Sequence, residues 1–229
     1  MTSDLAAPTS RSARVYDAIR CGILDGDYEP MQPLSPQELA TRFGVSLAVV
    51  REALLRLVGE GLADRLHNRG FAVPAADDAR WQEIAEARAT LEPQIIRLAV
   101  DRGDVAWEAR IRSAHHALSR TPARNEATGA ITKDWVAAHH TFHRTLLEGC
   151  ANAALLDTFE RLWNASELTR LWASRATPDR DHAAEHAALE RACLERDPDR
   201  AAALLFSHLD HTAAALRSPA GPDSQKIPR

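Results

Sequence analysis

The sequence predicts a mainly α-helical protein in two parts: an N-terminal module of short segments over residues 11–75 and an all-helical C-terminal bundle over residues 78–217. Three observations predict it. Apolar residues recur at helical spacing along most of the chain. Extended structure is suggested only at 62–73, on either side of His67-Asn68-Arg69-Gly70. The character of the chain also changes near Pro74–Asp78, from short punctuated elements to long Ala/Leu/Arg/Glu stretches.

Residues 1–10 read as a lead-in. In Ser12–Asp25, Val15, Ile19 and Ile23 stand at i, i+4, i+8 and mark one face of a helix. Ser35-Pro36-Gln37-Glu38 is a helix start, with Ser as cap, Pro at the first position and Glu closing a capping box. That helix stops at Gly44. Ser46 caps a third helix that runs to about Glu60, with Gly61 beyond it. Leu62–Leu66 and Phe71–Val73 then form a hairpin. Past the split, helices are expected over 79–101, 104–120, 131–148, 151–175, 181–196 and 199–217, with a kink at Pro93. Breaks fall at Gly103, Pro122, Gly149, Pro178 and Pro198. Six helices in this span suggest an antiparallel bundle. Ser218 to Arg229 reads as a tail.

Composition excludes several classes. The chain has 229 residues, 45% of them hydrophobic and 26% charged, which fits a folded protein and not a disordered one. Apolar runs are too short to span a membrane. No basic start followed by an apolar stretch marks a secretory signal. Cys21, Cys150 and Cys193 are far apart, odd in number and without a CxxC, which argues against a disulfide framework and suits a reducing cytoplasm. The net charge of −4 does not exclude nucleic acid, because local charge decides that contact.

Three helices and a hairpin in this order form a winged helix-turn-helix. The third helix would enter a major groove, with Ser46 at its N-terminus turning free N–H groups toward phosphate. Gln37 lies at the start of the preceding helix. Arg51 and Arg56 lie along the third helix, and the hairpin carries Arg65, His67 and Arg69, with Gly70 permitting close backbone approach. A structural three-helix unit with solvated arginines is the alternative.

The run Gly44-Val45-Ser46-Leu47-Ala48-Val49-Val50-Arg51-Glu52-Ala53-Leu54, with Glu60-Gly61-Leu62 and Arg69-Gly70, resembles the GntR family of bacterial transcription regulators. By this resemblance Arg51 and Gly70 carry family DNA contacts; with Gln37, Ser46 and Arg69 from the winged-helix reading, and Leu47 and Ala48 at altered contact positions, they make up the candidate DNA-binding set. Four positions depart from the family run. Leu47, Ala48 and Val49 stand where Arg, Thr and Pro are usual, and Met31 stands where Gly is usual. Leu47 cannot donate a hydrogen bond to guanine or phosphate, so a shifted operator sequence is expected.

The C-terminal part carries a pattern of histidines. His139 and His143 are an i, i+4 pair beside the stripe Trp135–Phe142–Leu146. His186 shares a helix with Leu189 and Cys193, and His208 lies between Leu205 and Leu209. His182 shares the His186 face. Each histidine alone reads as a hydrogen-bonded core residue; together the four read as a possible metal site, since imidazoles suit zinc, nickel, copper or iron. His115, His116, His140 and His211 read as surface or incidental residues.

Arg88-Ala89-Thr90-Leu91-Glu92, Phe142-His143-Arg144-Thr145-Leu146, Glu185-His186 and His208 resemble the FCD ligand-binding domain of FadR-type GntR regulators. The resemblance implies metal ligation by His143, His186 and His208. His139 stands at a position usually held by Asp, which tilts the site toward zinc or nickel. It also implies a small organic acid as effector, with Arg88, Trp172 and His182 in the cavity. Arg88 reads equally as a carboxylate clamp or as an ion pair with Glu92, and Trp172 also as core. The expected function is a metabolite-responsive transcription regulator, a repressor and homodimer on operator DNA, with no enzymatic activity. The alternative is a metal-dependent hydrolase or lyase acting on a small organic acid. That reading lacks an obvious general base, because no Glu stands between His139 and His143.

Overall fold

The computed structural model describes residues 10–67, 70–129, 131–172 and 182–216, and of 171, 172, 215 and 216 the backbone only. The expected lead-in (apart from Ser10) and tail, Arg69 and the Trp172 side chain lie outside what is described. The chain divides into two compact units, Met1–Arg80 with Asn164–Ser174, and Trp81–Trp163 with Arg175–Arg229. Among the described residues no helix is long and apolar enough to cross a membrane.

The first unit follows the capping signals closely. Helix α1 spans Arg11–Asp25 and buries Val15, Ile19 and Ile23, the expected stripe, together with Tyr16. Helix α2 spans Pro36–Phe43, with the Ser35 hydroxyl accepting from the Glu38 N–H. Gly44 ends it at φ +62, a backbone region open to glycine at little cost. Helix α3 spans Leu47–Gly59, and the Ser46 hydroxyl accepts from the Val49 N–H. The hairpin forms from β2, Asp64–Leu66, and β3, Gly70–Ala72. A two-residue strand that the sequence reading missed, β1 at Pro33–Leu34, completes an antiparallel sheet of order β1-β3-β2. Its approach depends on Met31, which takes φ +65 and donates its N–H to the Val73 carbonyl. Ile19, Ile23, Leu34, Leu54, Leu57 and Leu62 are fully buried in the core of this unit. Each such side chain contributes about 1.5–3 kcal/mol of burial.

The described helices of the remaining chain are α4 (Asp78–Arg102), α5 (Val105–Arg120), α6 (Lys133–Glu148), α7 (Ala153–Trp172), α8 (His182–Leu194) and α9 (Pro198–Leu216). Helix α4 runs unbroken as one element through Pro93. The second unit's core is built on Ile96, Trp107, Ile111, Phe142, Phe159 and Leu189. Trp107 keeps its indole N–H satisfied by donating to the Thr145 carbonyl at 2.8 Å. Gly149 lets the end of α6 meet the backbone of α4: a Cβ there would fall 2.6 Å from the Ala99 carbonyl oxygen. The last turns of α7 belong to the first unit. Leu168 joins that unit's core, and Asn164 donates to the Glu60 carbonyl at 3.4 Å.

Candidate metal centre and nucleic-acid interface

Helices α6, α8 and α9 bring four histidines together. His139, His143, His186 and His208 are all buried, and each offers a nitrogen such that the four ligand atoms lie within 4.8 Å of one another. Neighbouring rings are about one ring apart: centroids are 4.5 Å from His139 to His143, 5.0 Å from His139 to His186, and 5.0 Å from His186 to His208. The i, i+4 spacing on α6 supplies one pair. The other two histidines come from helices that meet only in the folded bundle.

The environment holds two of these rings, His143 and His186, neutral. Burial, with the neighbouring His208 as a smaller cause, pushes His186 down to about 2. Burial first, then His208, His186 and Arg88, hold His143 well below the ordinary histidine range. The Nε2 atoms of His143 and His186 are buried with no hydrogen-bond partner. Leaving such a nitrogen unsatisfied costs about 1–3 kcal/mol. A divalent ion is the group this donor set fits, since it takes nitrogen lone pairs that have no proton to share. Ligand nitrogens on one zinc at ~2.0–2.1 Å are at most ~4.2 Å apart, so the observed spread closes with small side-chain rotations.

A second layer orients the cluster. Glu185 accepts from Nδ1 of His208 at 2.7 Å, an arrangement in which Nε2 is the nitrogen that could hold an ion. Trp135 stacks on His139 at 4.5 Å. Trp163 lies 5.2 Å from His139 and 5.5 Å from His143, and the Arg88 guanidinium sits 5.0 Å from the Trp163 centroid. Arg88 is buried and paired with Glu92, which is fully buried, through both Nε and Nη2. The ion pair is thus formed, and it is formed beside the histidines. His182 stands 6.4 Å from His186 at the rim. Sequence reasoning missed the roles of Glu185 and Trp163. The available signal was weak, since Glu185 merely precedes His186 and only the packing of α8 on α9 brings it to His208. His115 and His140, read as surface or incidental, are half-buried and held by Glu190 and Glu160 at 2.7 and 2.8 Å.

In the first unit, Gln37, Ser46, Leu47, Ala48 and Arg51 are all exposed. Arg51 and Gly70 share a cleft of about 380 Å³ with Leu55, Arg65 and Leu66, so helix α3 and the wing face one another across it. Gly70 takes φ +90. Arg56 stays exposed but is held on the surface of its own unit: it lies 3.6 Å over the Tyr16 ring and pairs with Glu60, which accepts from the Tyr16 hydroxyl. Burial and that carboxylate push Tyr16 up to about 12.

Comparison with known proteins finds two family matches. Residues 83–211 match the FCD domain, and residues 11–73 match the bacterial regulatory proteins of the gntR family. The chain is 30% identical over 199 residues to the HTH-type transcriptional repressor GlaR of Escherichia coli, covering 85% of this chain and 90% of that one. It is 32% identical over 204 residues to the HTH-type transcriptional regulator BphR of Paraburkholderia xenovorans, covering 88% and 83%. The solved structure of McbR/YncC from E. coli shares the fold, with TM-score 0.71, 22% identity and coverage of 91% and 98%. GlaR is a transcriptional repressor, BphR is described as a transcriptional regulator, and the gntR match is to regulatory proteins, which sets aside the hydrolase or lyase alternative.

Proposed function

The chain belongs to the GntR family of transcription regulators and carries that family's FCD domain, and from that premise we propose that it is a repressor whose helical part, residues 78–217, binds a divalent transition metal and a small organic acid. The DNA-binding part is assigned to residues 11–75. As regulators built on a helix-turn-helix, GntR proteins bind operator DNA. Gln37, Ser46, Leu47, Ala48, Arg51, Arg69 and Gly70 are assigned to that contact here, in a homodimer on a palindromic site. Repression is carried over from the printed role of GlaR.

The observation that carries the metal reading is the buried four-histidine cluster. With His139 in place of a carboxylate, the donor set is all nitrogen, which favours zinc or nickel over oxygen-preferring ions. An ion held there would supply Lewis acidity and its full double charge to a carboxylate or α-hydroxyl oxygen. Arg88 would orient such an anion from beside Trp163, with His182 at the rim. Coupling to DNA of ~1–3 kcal/mol, a 5–150-fold change in operator affinity, is the expected scale.

The test is elemental analysis of protein purified without an affinity tag, then calorimetry with sugar acids and hydroxy acids on wild type and on His186→Ala. About one transition metal per chain and loss of anion binding in His186→Ala are expected. Trace metal, or anion binding untouched by the substitution, overturns the reading.

A further inference from the structure

The outward face of α3 has an unusual chemistry for a surface that meets DNA. Leu47, Arg51 and Leu55 follow at i, i+4, i+8 and all are exposed, Leu47 at 38% and Leu55 at 51%. Ala48 is exposed beside Leu47. The opposite face, Val50, Ala53, Leu54 and Leu57, is buried in the core and fixes the rotation of the helix. The Ser46 hydroxyl is engaged in capping at Val49. The first turn of the helix therefore presents methyl groups outward, and the next cation along this face of α3 is Arg51, one turn on. Arg51 and Arg65 line the adjoining cleft and give this face the charge that phosphate needs.

A recognition helix sets its N-terminal residues against base edges. In the major groove the one apolar group on those edges is the C5-methyl of thymine; guanine, adenine and cytosine present donors or acceptors. A polar edge pressed against leucine loses its water without gaining a partner. We propose that Leu47, with Ala48, reads thymine by methyl contact, in a half-site where Arg51 takes the neighbouring guanine. This rests on the DNA-binding reading above and adds to it the base that the altered positions select.

The experiment starts with selection of duplexes from a random-sequence library by the full-length protein. A thymine at fixed spacing from a guanine is expected in the selected motif. That thymine is then replaced by deoxyuridine, which removes only the methyl group. About four-fold weaker binding is expected, which is one buried methyl-sized group at ~0.8 kcal/mol converted at 1.4 kcal/mol per tenfold. In Leu47→Ala the thymine-to-uracil ratio should fall toward one, and Leu47→Arg should select a different base. Equal wild-type affinity for the two duplexes, or one motif shared by wild type and Leu47→Arg, overturns the inference and leaves sequence-specific binding intact. Enrichment of no sequence at all overturns both.

Discussion

Replacing Glu185 with glutamine separates a metal-orienting role from simple packing. The Glu185 carboxylate holds Nδ1 of His208 at 2.7 Å, and Glu185 is itself partly exposed, so the substitution keeps shape and costs little core packing. What it removes is the charge behind the ligand. The carboxylate favours the tautomer with the proton on Nδ1 and raises the basicity of the ring; partners of this kind are worth about 10–100-fold in metal affinity. At zinc equal to 100 times the wild-type Kd, binding stabilises the fold by ~2.7 kcal/mol. A tenfold weaker variant at the same zinc would gain ~1.4 kcal/mol, and a hundredfold weaker one ~0.4 kcal/mol. Competition against a chromophoric chelator gives the affinity, and melts with and without zinc give the linkage. Glu190→Gln is the control, because Glu190 holds His115, which lies outside the cluster. That control should stay within two-fold of wild type. Zinc affinity of Glu185→Gln within two-fold of wild type would refute the orienting role.

Three further outcomes follow from the same geometry. Metal-free protein should lose stability in acid: His143 and His186 titrate below their unfolded value of 6.5, so the unfolded chain takes up protons first, and stability present above pH ~6.5 falls as pH drops, by up to ~1.4 kcal/mol per pH unit for each ring; urea midpoints in chelator that match at pH 7.5 and 5 would contradict this. Met31→Gly should stabilise by roughly 0.5–1 kcal/mol, since relief of ~1–2 kcal/mol of left-handed strain at φ +65 outweighs the added chain entropy, and an unchanged or lower urea midpoint would count against it. Gly149→Ala should destabilise by about 1–3 kcal/mol, because its Cβ meets the Ala99 carbonyl and backbone cannot yield as a side chain can; a wild-type melting temperature would show that α6 moves freely against α4.

The sequence by itself determined the local elements. Ser35, Ser46 and Gly44 mark helix ends because capping is a contact between residues three or four apart, and such contacts are written in adjacent letters. The Val15–Ile19–Ile23 stripe and the helices past Pro74 were legible for the same reason. So was the His139–His143 pair, since one helical turn fixes it. The departures at Leu47 and Met31 could be named from the run alone. Strand β1 could not: two residues have no periodicity, and Pro33–Leu34 is a strand only through pairing with Phe71 and Ala72 far along the chain. Whether Arg56 faced DNA or Tyr16 was likewise undecided until α1 packed on α3. The assembly of four histidines needed α6, α8 and α9 in one bundle, and so did the seating of Glu185 behind His208. Those placements depend on how apolar faces interlock between helices distant in sequence, and it is that packing, not any local propensity, that buries the rings, strips their nitrogens of water and makes a cluster fit for a metal.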